Sequence, residues 1–353
     1  MPDTHVTIDG KAISVPRHFT VLEAAESAGI GIPKLCAHPA LKPIGACRMC
    51  LVEVEKQRTL QPACTFPVSE GMVVHTNTPA VRAARSFVLE LLLSDHPFDC
   101  MTCEQAGECE LQDLAYEYGI KEVRFPGIKH DYPLNLDDNP FIVRDYNKCV
   151  LCRRCIRACD EINGVEAIGL VHRGFDSKVG TAFDGSLMTS PCEFCGMCMA
   201  LCPTGALVPK SSLGAGRTWE MRKVSTICPY CGVGCTLDLR VTDNKIVKVD
   251  SSWEGGANKG WTCVKGRFGW DYVASSERLT TPLIKKDGVF VEATWDEALD
   301  LVADKFVEIA QEHGADALAF LSSAKCTNEE NYLVQKLSRG LIGTNNVDHC
   351  ARL

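Results

Sequence analysis

Cysteine dominates the chemistry available to this sequence. Nineteen of its twenty-one cysteines, together with one histidine, fall into five groups with short and regular spacings along 353 residues. Thiolate sulfur and imidazole nitrogen bind iron–sulfur clusters and zinc. A disulfide scaffold would instead require a secreted and usually much shorter chain. The spacings therefore predict metal centres, with zinc as the alternative to iron.

The first cysteine group is preceded by a segment whose pattern predicts a small sheet. Residues 5–8 and 12–15 alternate like two strands around Asp9-Gly10, a dipeptide that favours a hairpin turn. Thr20 should cap a helix that ends at Gly29. Two strands, a helix and a cysteine loop form the order of a β-grasp ferredoxin. The loop departs from the plant-type C-x4-C-x2-C spacing, and its cysteines are Cys36, Cys47, Cys50 and Cys64.

The second group lies at the end of a predicted helix. Residues 79–94 place Val81, Ala84, Val88 and Leu91 on one face, with Thr78 as N-cap and Pro79 at the first position. Pro97 stops this helix. A histidine at such a position is often satisfied by the helix dipole alone, but its spacing here suits a ligand set of His96, Cys100, Cys103 and Cys109.

Both groups resemble segments of respiratory complex I. The long first gap of the Cys36 group is similar to its [2Fe–2S] domain, which many hydrogenases share. Residues 96–113 resemble the His/Cys3 [4Fe–4S] motif of its large iron–sulfur subunit. The resemblance implies one [2Fe–2S] cluster, and one [4Fe–4S] cluster with His96 as a ligand.

The third and fourth groups repeat one C-x2-C-x2-C-x3-C run, at residues 149–159 and 192–202. In bacterial two-cluster ferredoxins the fourth cysteine of each run binds the other cluster. One predicted [4Fe–4S] ligand set is therefore Cys149, Cys152, Cys155 and Cys202, which we name the Cys149 set. The other, the Cys192 set, is Cys192, Cys195, Cys198 and Cys159.

The fifth group opens a further domain. Its ligands would be Cys228, Cys231, Cys235 and Cys263. Leu237, Leu239 and Val241 alternate as a strand, and residues 245–249 should pair back across Asp243-Asn244. The spacing alone also suits zinc.

Residues 263–271 resemble the segment after the fourth cluster cysteine of molybdenum- or tungsten-dependent formate dehydrogenases. In that family the lysine two positions after this cysteine lies between the [4Fe–4S] cluster and a pterin, which implies an electron-conduit role for Lys265. A solvated surface lysine is the alternative. The resemblance continues through residues 295–299, 327–332 and 343–353.

In that family, the segment that corresponds to residues 343–353 is followed directly by a selenocysteine or cysteine that binds the metal. We therefore expect a reading frame cut at a selenocysteine codon after Leu353, with a native short subunit as the alternative. The isolated chain should neither oxidise formate nor close a complete pterin pocket. Cys326 and Cys350 match no cluster pattern, and we expect buried structural thiols there.

The resemblance implies a multidomain α+β protein that oxidises formate to carbon dioxide and two electrons, or runs the reverse reaction. Its cofactors would be one [2Fe–2S] cluster, four [4Fe–4S] clusters and a molybdenum or tungsten bis(molybdopterin guanine dinucleotide). The electron partner could be a flavin or NAD(P)-linked subunit, a ferredoxin or a hydrogenase module. Alternatives are a non-catalytic electron-transfer subunit and a hydrogenase or complex I subunit.

Five domains are predicted along the chain. They are a β-grasp [2Fe–2S] domain (1–78), a His/Cys3 segment (79–118), a two-cluster ferredoxin-type domain (138–212), a molybdopterin oxidoreductase [4Fe–4S] domain (222–280) and the start of an α/β domain (281–353).

Composition excludes two classes of partner. The formal charge of −8, from 37 basic and 45 acidic residues, argues against a nucleic-acid surface. No apolar run approaches the roughly 20 residues of a membrane span, and the N-terminus lacks signal-peptide features, so we expect a cytoplasmic protein. Basic residues beside the cysteines form either a solvated helix face or a cluster-tuning set; they are Lys148, Arg153, Arg154 and Arg157.

Overall fold

The computed structural model describes residues 3–125, 127–134 and 139–350, without the side chain of Cys350. The chain divides into two compact units, one of residues 1–223 with 240–248 and one of residues 224–239 with 249–353. Both mix short helices with small sheets, as the predicted α+β class requires.

The first unit begins with a five-stranded sheet in the order β2-β1-β5-β3-β4. Its strands are β1 (Asp3–Ile8), β2 (Lys11–Pro16), β3 (Leu51–Val54), β4 (Gln61–Pro62) and β5 (Met72–His75). The predicted hairpin is confirmed, because Asp9 and Gly10 both adopt the positive φ angles that a tight β1–β2 turn needs. Helix α1 (Val21–Ser27) begins with a capping box in which Thr20 and Glu23 bond reciprocally.

This sheet and α1 enclose a hydrophobic core of their own. Ile8, Val21, Val52 and Val74 are completely buried in it. Parallel pairing of β1 with β5 brings the two ends of the segment together. The cysteine loop between α1 and β3 is therefore anchored on a packed scaffold.

Helix α2 (Pro79–Asp95) has the predicted N-cap at Thr78 and ends at His96. The predicted apolar face is only partly correct: Val81 is buried, but Leu91 is 47% exposed, whereas Leu89 and Leu93 are buried. The buried stripe passes through Arg85, whose guanidinium donates to the Leu51 carbonyl. A periodicity of apolar residues alone could not identify a face that includes a hydrogen-bonded arginine.

Leu89 and Leu91 form a matched pair for testing this face. We expect Leu89→Ala to lower the free energy of unfolding by about 2–5 kcal/mol, because it leaves a cavity in a packed interior. Leu91→Ala should stay within about 0.5 kcal/mol of the parent chain, because the side chain is exposed and its removal leaves no enclosed cavity. Chemical denaturation of both variants measures the difference, and equal losses would contradict the observed orientation of α2.

The cysteine-rich part of this unit contains short elements. They are α3 (Glu110–Glu117), β6 (Ile142–Arg144), α4 (Arg154–Arg157), β7 (Gly169–Val171), β8 (Lys178–Gly180), α5 (Met197–Ala200) and β9 (Leu207–Pro209). A π-helical turn, Ala158–Ile162, follows α4 directly. Strands β6 and β9 pair antiparallel and join the two ends of the segment.

The two cysteine runs share one backbone conformation. Positive φ angles occur at Leu151 and Arg153 in the first run, and at Phe194 and Gly196 in the second. These positions correspond in the two repeats. The repeat seen in the sequence is therefore also a repeat of loop geometry.

A three-stranded sheet of β10 (Arg222–Ile227), β11 (Thr236–Thr242) and β12 (Lys245–Asp250) follows, in that order. Asp243 and Asn244 form the predicted turn with positive φ angles. The alternation predicted for β11 is only partly correct: Leu237 is buried, but Asp238 is buried as well. Its carboxylate accepts a hydrogen bond of 2.6 Å from the Ser225 hydroxyl.

The remaining elements are α6 (Val264–Phe268), β13 (Leu283–Lys286), β14 (Val289–Glu292), α7 (Trp295–His313), β15 (Phe320–Ser323), α8 (Asn328–Gln335) and β16 (Val347–Cys350). Strand β15 precedes α8 in the sequence and β16 follows it, and the two strands pair in parallel, as in an α/β unit. The end of the string predicted to precede the metal ligand, residues 351–353, lies outside the described residues. In the part that is described, no helix has the length and apolar character of a membrane span.

Candidate metal centres

Two neighbouring cavities lie inside the two-run segment. Cavity I, of about 40 Å³, is lined by all four cysteines of the Cys149 set. Cavity II, of about 30 Å³, is lined by all four of the Cys192 set. Both exceed the roughly 10–15 Å³ that a single water needs. The structure therefore brings each crossed set together around its own space.

The walls shared by the two cavities are apolar. Ile142, Ile168 and Leu187 line both of them, and Cys198 also borders both. Apolar side chains make up most of the remaining lining, and cysteine is the commonest potential ligand in each cavity. Four cysteines around one enclosed space fit a [4Fe–4S] cluster, because cysteine thiolates hold these clusters.

Burial favours the neutral thiol form of four cysteines that line these cavities. It raises the pKa of Cys149 and of Cys152 to about 12. It also raises the pKa of Cys155 and Cys198 well above the usual thiol value. A thiolate in such surroundings requires a compensating positive charge. A bound metal would supply that charge.

Hydrogen-bond donors approach the sulfurs of the Cys192 set. The Asn163 side-chain amide donates to the Cys195 sulfur, and the Ala167 backbone N–H donates to the Cys159 sulfur at 3.2 Å. Hydrogen bonds to sulfur are one means of tuning cluster potentials. Sequence reasoning missed Asn163, since an asparagine in a loop carries no distinctive spacing signal.

The four cysteines of the first group are all buried, and they contact one another. The Cys36 backbone N–H donates to the Cys47 sulfur at 3.4 Å. Hydrogen bonds from the Cys47 and Cys64 thiols hold the pKa of Cys36 far below its usual value. A hydrogen bond with Cys64 likewise lowers the pKa of Cys50, to about 7. The hydrogen bonds among these sulfurs thus favour the thiolate form of Cys36.

His96 lies at the C-terminal cap of α2 and is half-buried. Burial lowers its pKa to about 4, so the imidazole is neutral at pH 7. Its Nδ1 atom is buried and has no hydrogen-bond partner among the residues that the structure describes. A neutral imidazole with an unsatisfied nitrogen suits metal ligation. The charges of Asp99 and Lys148 affect the pKa of both His96 and Cys103, which places the two residues in one electrostatic environment.

Cysteines of three groups pack in a single hydrophobic core. It contains Cys36 and Cys47 of the first group, Cys109 of the second and Cys152 of the Cys149 set, between Leu35, Met49, Leu89, Leu93, Leu111 and Leu114. At Gly205 an added Cβ would lie 2.6 Å from the Cys103 sulfur, so only glycine permits this approach. The three groups are therefore close neighbours.

The fifth group has a more open setting. Cys228 is buried, Cys231 and Cys235 are half-buried, and Cys263 is exposed at the start of α6. The Cys228 N–H donates to the Cys235 carbonyl at 2.8 Å. Burial and the charges of Cys263 and Cys231 raise the pKa of Cys228.

Lys265 is exposed on α6, two residues beyond Cys263. Its ammonium lies 5.9 Å from the centre of the Tyr230 ring, within cation–π range. The Tyr230 hydroxyl in turn donates to the Gly269 carbonyl. Lys265 is thus oriented by a residue between the first two cysteines of its group.

The basic residues near the cysteines divide into two kinds. Arg154 and Arg157 are only 3% and 6% exposed, so a solvated helix face is wrong for them, whereas Arg153 is exposed. Lys148 is half-buried and pairs with Asp99 at 3.0 Å and Asp145 at 3.1 Å.

Buried structural thiols were expected outside the five groups, but Cys326 is exposed just before α8, where little chain packs over it.

Within the described ranges, no three His, Cys, Asp or Glu side chains are arranged to hold a single metal ion. Ligands of a cluster bind different iron atoms and need not converge on one point. The fit of the residues to clusters therefore rests on the cavities, the burial of sulfur and the unsatisfied nitrogen of His96 described above.

Five family models match consecutive parts of the chain and confirm the predicted fold class. They describe a 2Fe-2S iron-sulfur cluster binding domain (2–79), the NADH-ubiquinone oxidoreductase-G iron-sulfur binding region (85–124), the ferredoxin-like domain of NADH-quinone oxidoreductase subunit 3 (139–208), the molybdopterin oxidoreductase Fe4S4 domain (221–275) and molybdopterin oxidoreductase (278–353).

Relatives with these domains carry different names. A Rhizobium meliloti protein, named as the second G-type subunit of NADH-quinone oxidoreductase, is 42% identical over 98% of this chain and 40% of its own length. A Staphylococcus aureus protein, provisionally named a formate dehydrogenase, is 35% identical over 98% of this chain and 39% of its own. The chain thus spans about 40% of the length of these relatives.

A solved structure extends the comparison to the fold. One chain of an NAD+-reducing [NiFe]-hydrogenase, in the H2-reduced state, is 31% identical with a TM-score of 0.57. The match covers 61% of this chain and 91% of that one. By its domains, the chain belongs to the iron–sulfur proteins related to the G-type subunit of NADH-quinone oxidoreductase, continued by domains of the molybdopterin oxidoreductase family.

Proposed function

We propose that this chain is an electron relay with one [2Fe–2S] and four [4Fe–4S] clusters, held by the five ligand groups predicted above and within the predicted domain limits. The observation that carries the proposal is the pair of cavities, each lined by one complete crossed cysteine set. When bound, the clusters would supply one-electron carriers whose potentials the surrounding protein tunes.

Packing supports transfer between these centres. The core that joins Cys36, Cys109 and Cys152 brings three ligand groups together among buried apolar side chains. Packing of this kind restricts the movement of side chains. A relay needs such close and rigid neighbours, because electron transfer between centres weakens steeply with distance.

His96 offers a direct test of the second group. We expect His96→Ala to lose about four iron atoms per chain, the content of one [4Fe–4S] cluster. His96→Cys should keep the iron but lower the reduction potential of that centre, since a thiolate adds negative charge where the imidazole is neutral. Iron analysis and EPR redox titration measure both effects. His18→Cys, at an exposed position, is the control, and an unchanged potential in His96→Cys would contradict ligation by this residue.

For the whole protein that contains this chain, we propose formate dehydrogenase activity with molybdenum or tungsten bound by a bis-pterin cofactor. The formate dehydrogenase name of the Staphylococcus aureus relative supports this substrate, as does the match to molybdopterin oxidoreductase. Lys265, held over Tyr230 beside the Cys228 group, would link that centre to the pterin. The proposal places the protein in the cytoplasm with a redox partner subunit.

A second candidate is an electron-transfer subunit without a pterin-bound metal. The higher identity to the Rhizobium meliloti relative favours it, as does the likeness to a hydrogenase chain. In this case the partners would be a flavin subunit that reacts with NAD(P)H and a second enzyme. The clusters would be the same in both candidates.

Metal analysis of the native complex separates the two candidates. The complex would be purified without oxygen through a tag on this chain. Formate dehydrogenase activity predicts molybdenum or tungsten besides iron, and reduced-cluster EPR signals on addition of formate. The second candidate predicts neither metal, and reduction by NAD(P)H alone. Zinc in place of iron would overturn the relay itself.

A further inference from the structure

Helix α4 carries two buried arginines between ligand groups that are far apart in sequence. It begins two residues after Cys152 and includes Cys155, both of the Cys149 set. The loop opposite contains Cys36, the first cysteine of the first group. Arg154 and Arg157 are each less than one-tenth exposed and reach from α4 to this loop.

Arg157 connects two cysteines of different groups through a single side chain. One terminal nitrogen donates to the Cys36 carbonyl at 2.5 Å and to the Cys152 carbonyl at 3.5 Å. The other terminal nitrogen donates to the Lys42 carbonyl at 2.5 Å, further along the same loop. The planar guanidinium thereby fixes the loop against the start of α4.

Arg154 strengthens the same junction. It forms a bidentate ion pair with Glu110, at 2.5 and 2.8 Å, and donates to the Ala37 carbonyl at 2.9 Å. Burial opposes its charge, but Glu110 and the charges of Cys152 and Cys47 together raise its pKa. Glu110 directly follows Cys109, so this arginine also reaches the second group.

The two arginines differ in how their charge is balanced. The Glu110 carboxylate offsets the charge of Arg154. Backbone carbonyl oxygens accept the hydrogen bonds of the Arg157 guanidinium instead, including one at 3.3 Å by the Arg153 carbonyl. A positive charge in a dry interior acts on neighbouring charges much more strongly than one in water.

We propose that Arg157 is a positioning residue that locks the Cys36 group onto the Cys149 set, and that its fixed charge raises the reduction potentials of both centres. This inference rests on the proposed function, since it requires that both groups hold clusters. An electron added to either centre would lie beside a positive charge whose location the carbonyls of Cys36 and Cys152 determine.

The test is EPR redox titration of the full chain, purified without oxygen. We expect Arg157→Gln to shift the Cys36 and Cys149 centres to lower potential and to leave the Cys228 centre unchanged. Arg157→Lys keeps the charge without the planar fork, so it should retain most of the potential. In Arg157→Lys the spin–spin interaction between the two centres should nevertheless be weaker, because the planar guanidinium fixes the distance between them. Arg58→Gln, at an exposed position in the first domain, is the matched control and should change neither quantity.

Unchanged potentials in Arg157→Gln, with iron retained, would overturn the inference and leave the relay intact. If the variants lost iron, the unmodified chain still gives a decisive measurement. Reduction of the Cys149 centre must then alter the relaxation of the [2Fe–2S] signal, and independent relaxation would overturn the inference. Absence of both cluster signals from the unmodified chain would instead overturn the proposed function.

Discussion

Cys202→Ala is expected to abolish the cluster of cavity I and to leave that of cavity II in place. Cys202 lies in the second cysteine run, but its sulfur lines the cavity formed by the first. Loss of that ligand should lower the iron content by about four atoms per chain and remove one [4Fe–4S] signal. Cys159→Ala should have the mirror effect, because its sulfur lines cavity II.

EPR spectra of the two variants decide which cluster remains in each. Cys326→Ala replaces an exposed thiol outside the five groups and serves as the matched control for the loss of a cysteine. If each variant lost the cluster of its own run instead, the crossed ligand sets would be wrong. Iron content unchanged in both would mean that neither sulfur is a ligand.

Iron removal should unfold one part of the first unit and spare another. Between Ile142 and Pro209 each strand spans three residues and each α-helix four, with a π-helical turn of five residues after α4, and the interior includes two cavities lined by cysteines. Helices this short are not stable alone. Metal binding can contribute about 10–16 kcal/mol to the folding of structural zinc sites, and we expect a comparable dependence on the clusters here.

The sheet of β1 to β5 should remain folded without iron. Its core includes Cys50 and Cys64 of the first group, but Ile8, Val21, Val52 and Val74 in that core are completely buried and line neither cavity. Amide hydrogen exchange before and after anaerobic chelation would resolve the two regions. We expect protection to be lost between residues 142 and 209 and retained in β1 and β2, while uniform loss or uniform retention would contradict this division.

Local features of the fold could be predicted from the sequence. The β1–β2 turn, the Thr20 cap and the Thr78 cap each depend on residues within a few positions of one another. The sequence also predicted which cysteines would gather around each cavity, because the spacing of cluster ligands follows the geometry of a cluster. Where the ligand dictates the arrangement, a short motif contains nearly all the information.

These local sequence patterns could not predict tertiary contacts. For Arg154 and Arg157 the sequence left two alternatives open, a solvated helix face or a cluster-tuning set. It could not choose between them, because some of the carbonyls that bury these side chains lie more than a hundred residues earlier in the chain. Leu91 was assigned to the wrong face of α2 because Arg85 occupies the buried stripe. A hydropathy pattern assigns every charged side chain to the exposed face, because it contains no information about the carbonyls to which that side chain donates in the fold.

The core shared by Cys36, Cys47, Cys109 and Cys152 has a consequence for redox measurements. If clusters occupy these groups, electrons added to them repel one another through a medium of low dielectric constant. Each reduction then makes the next one harder, so the titration is anticooperative. The midpoints will belong to the assembly of coupled centres, as macroscopic pKa values belong to interacting acids. The relay should therefore hold fewer electrons at a given potential than the same clusters would in separate proteins.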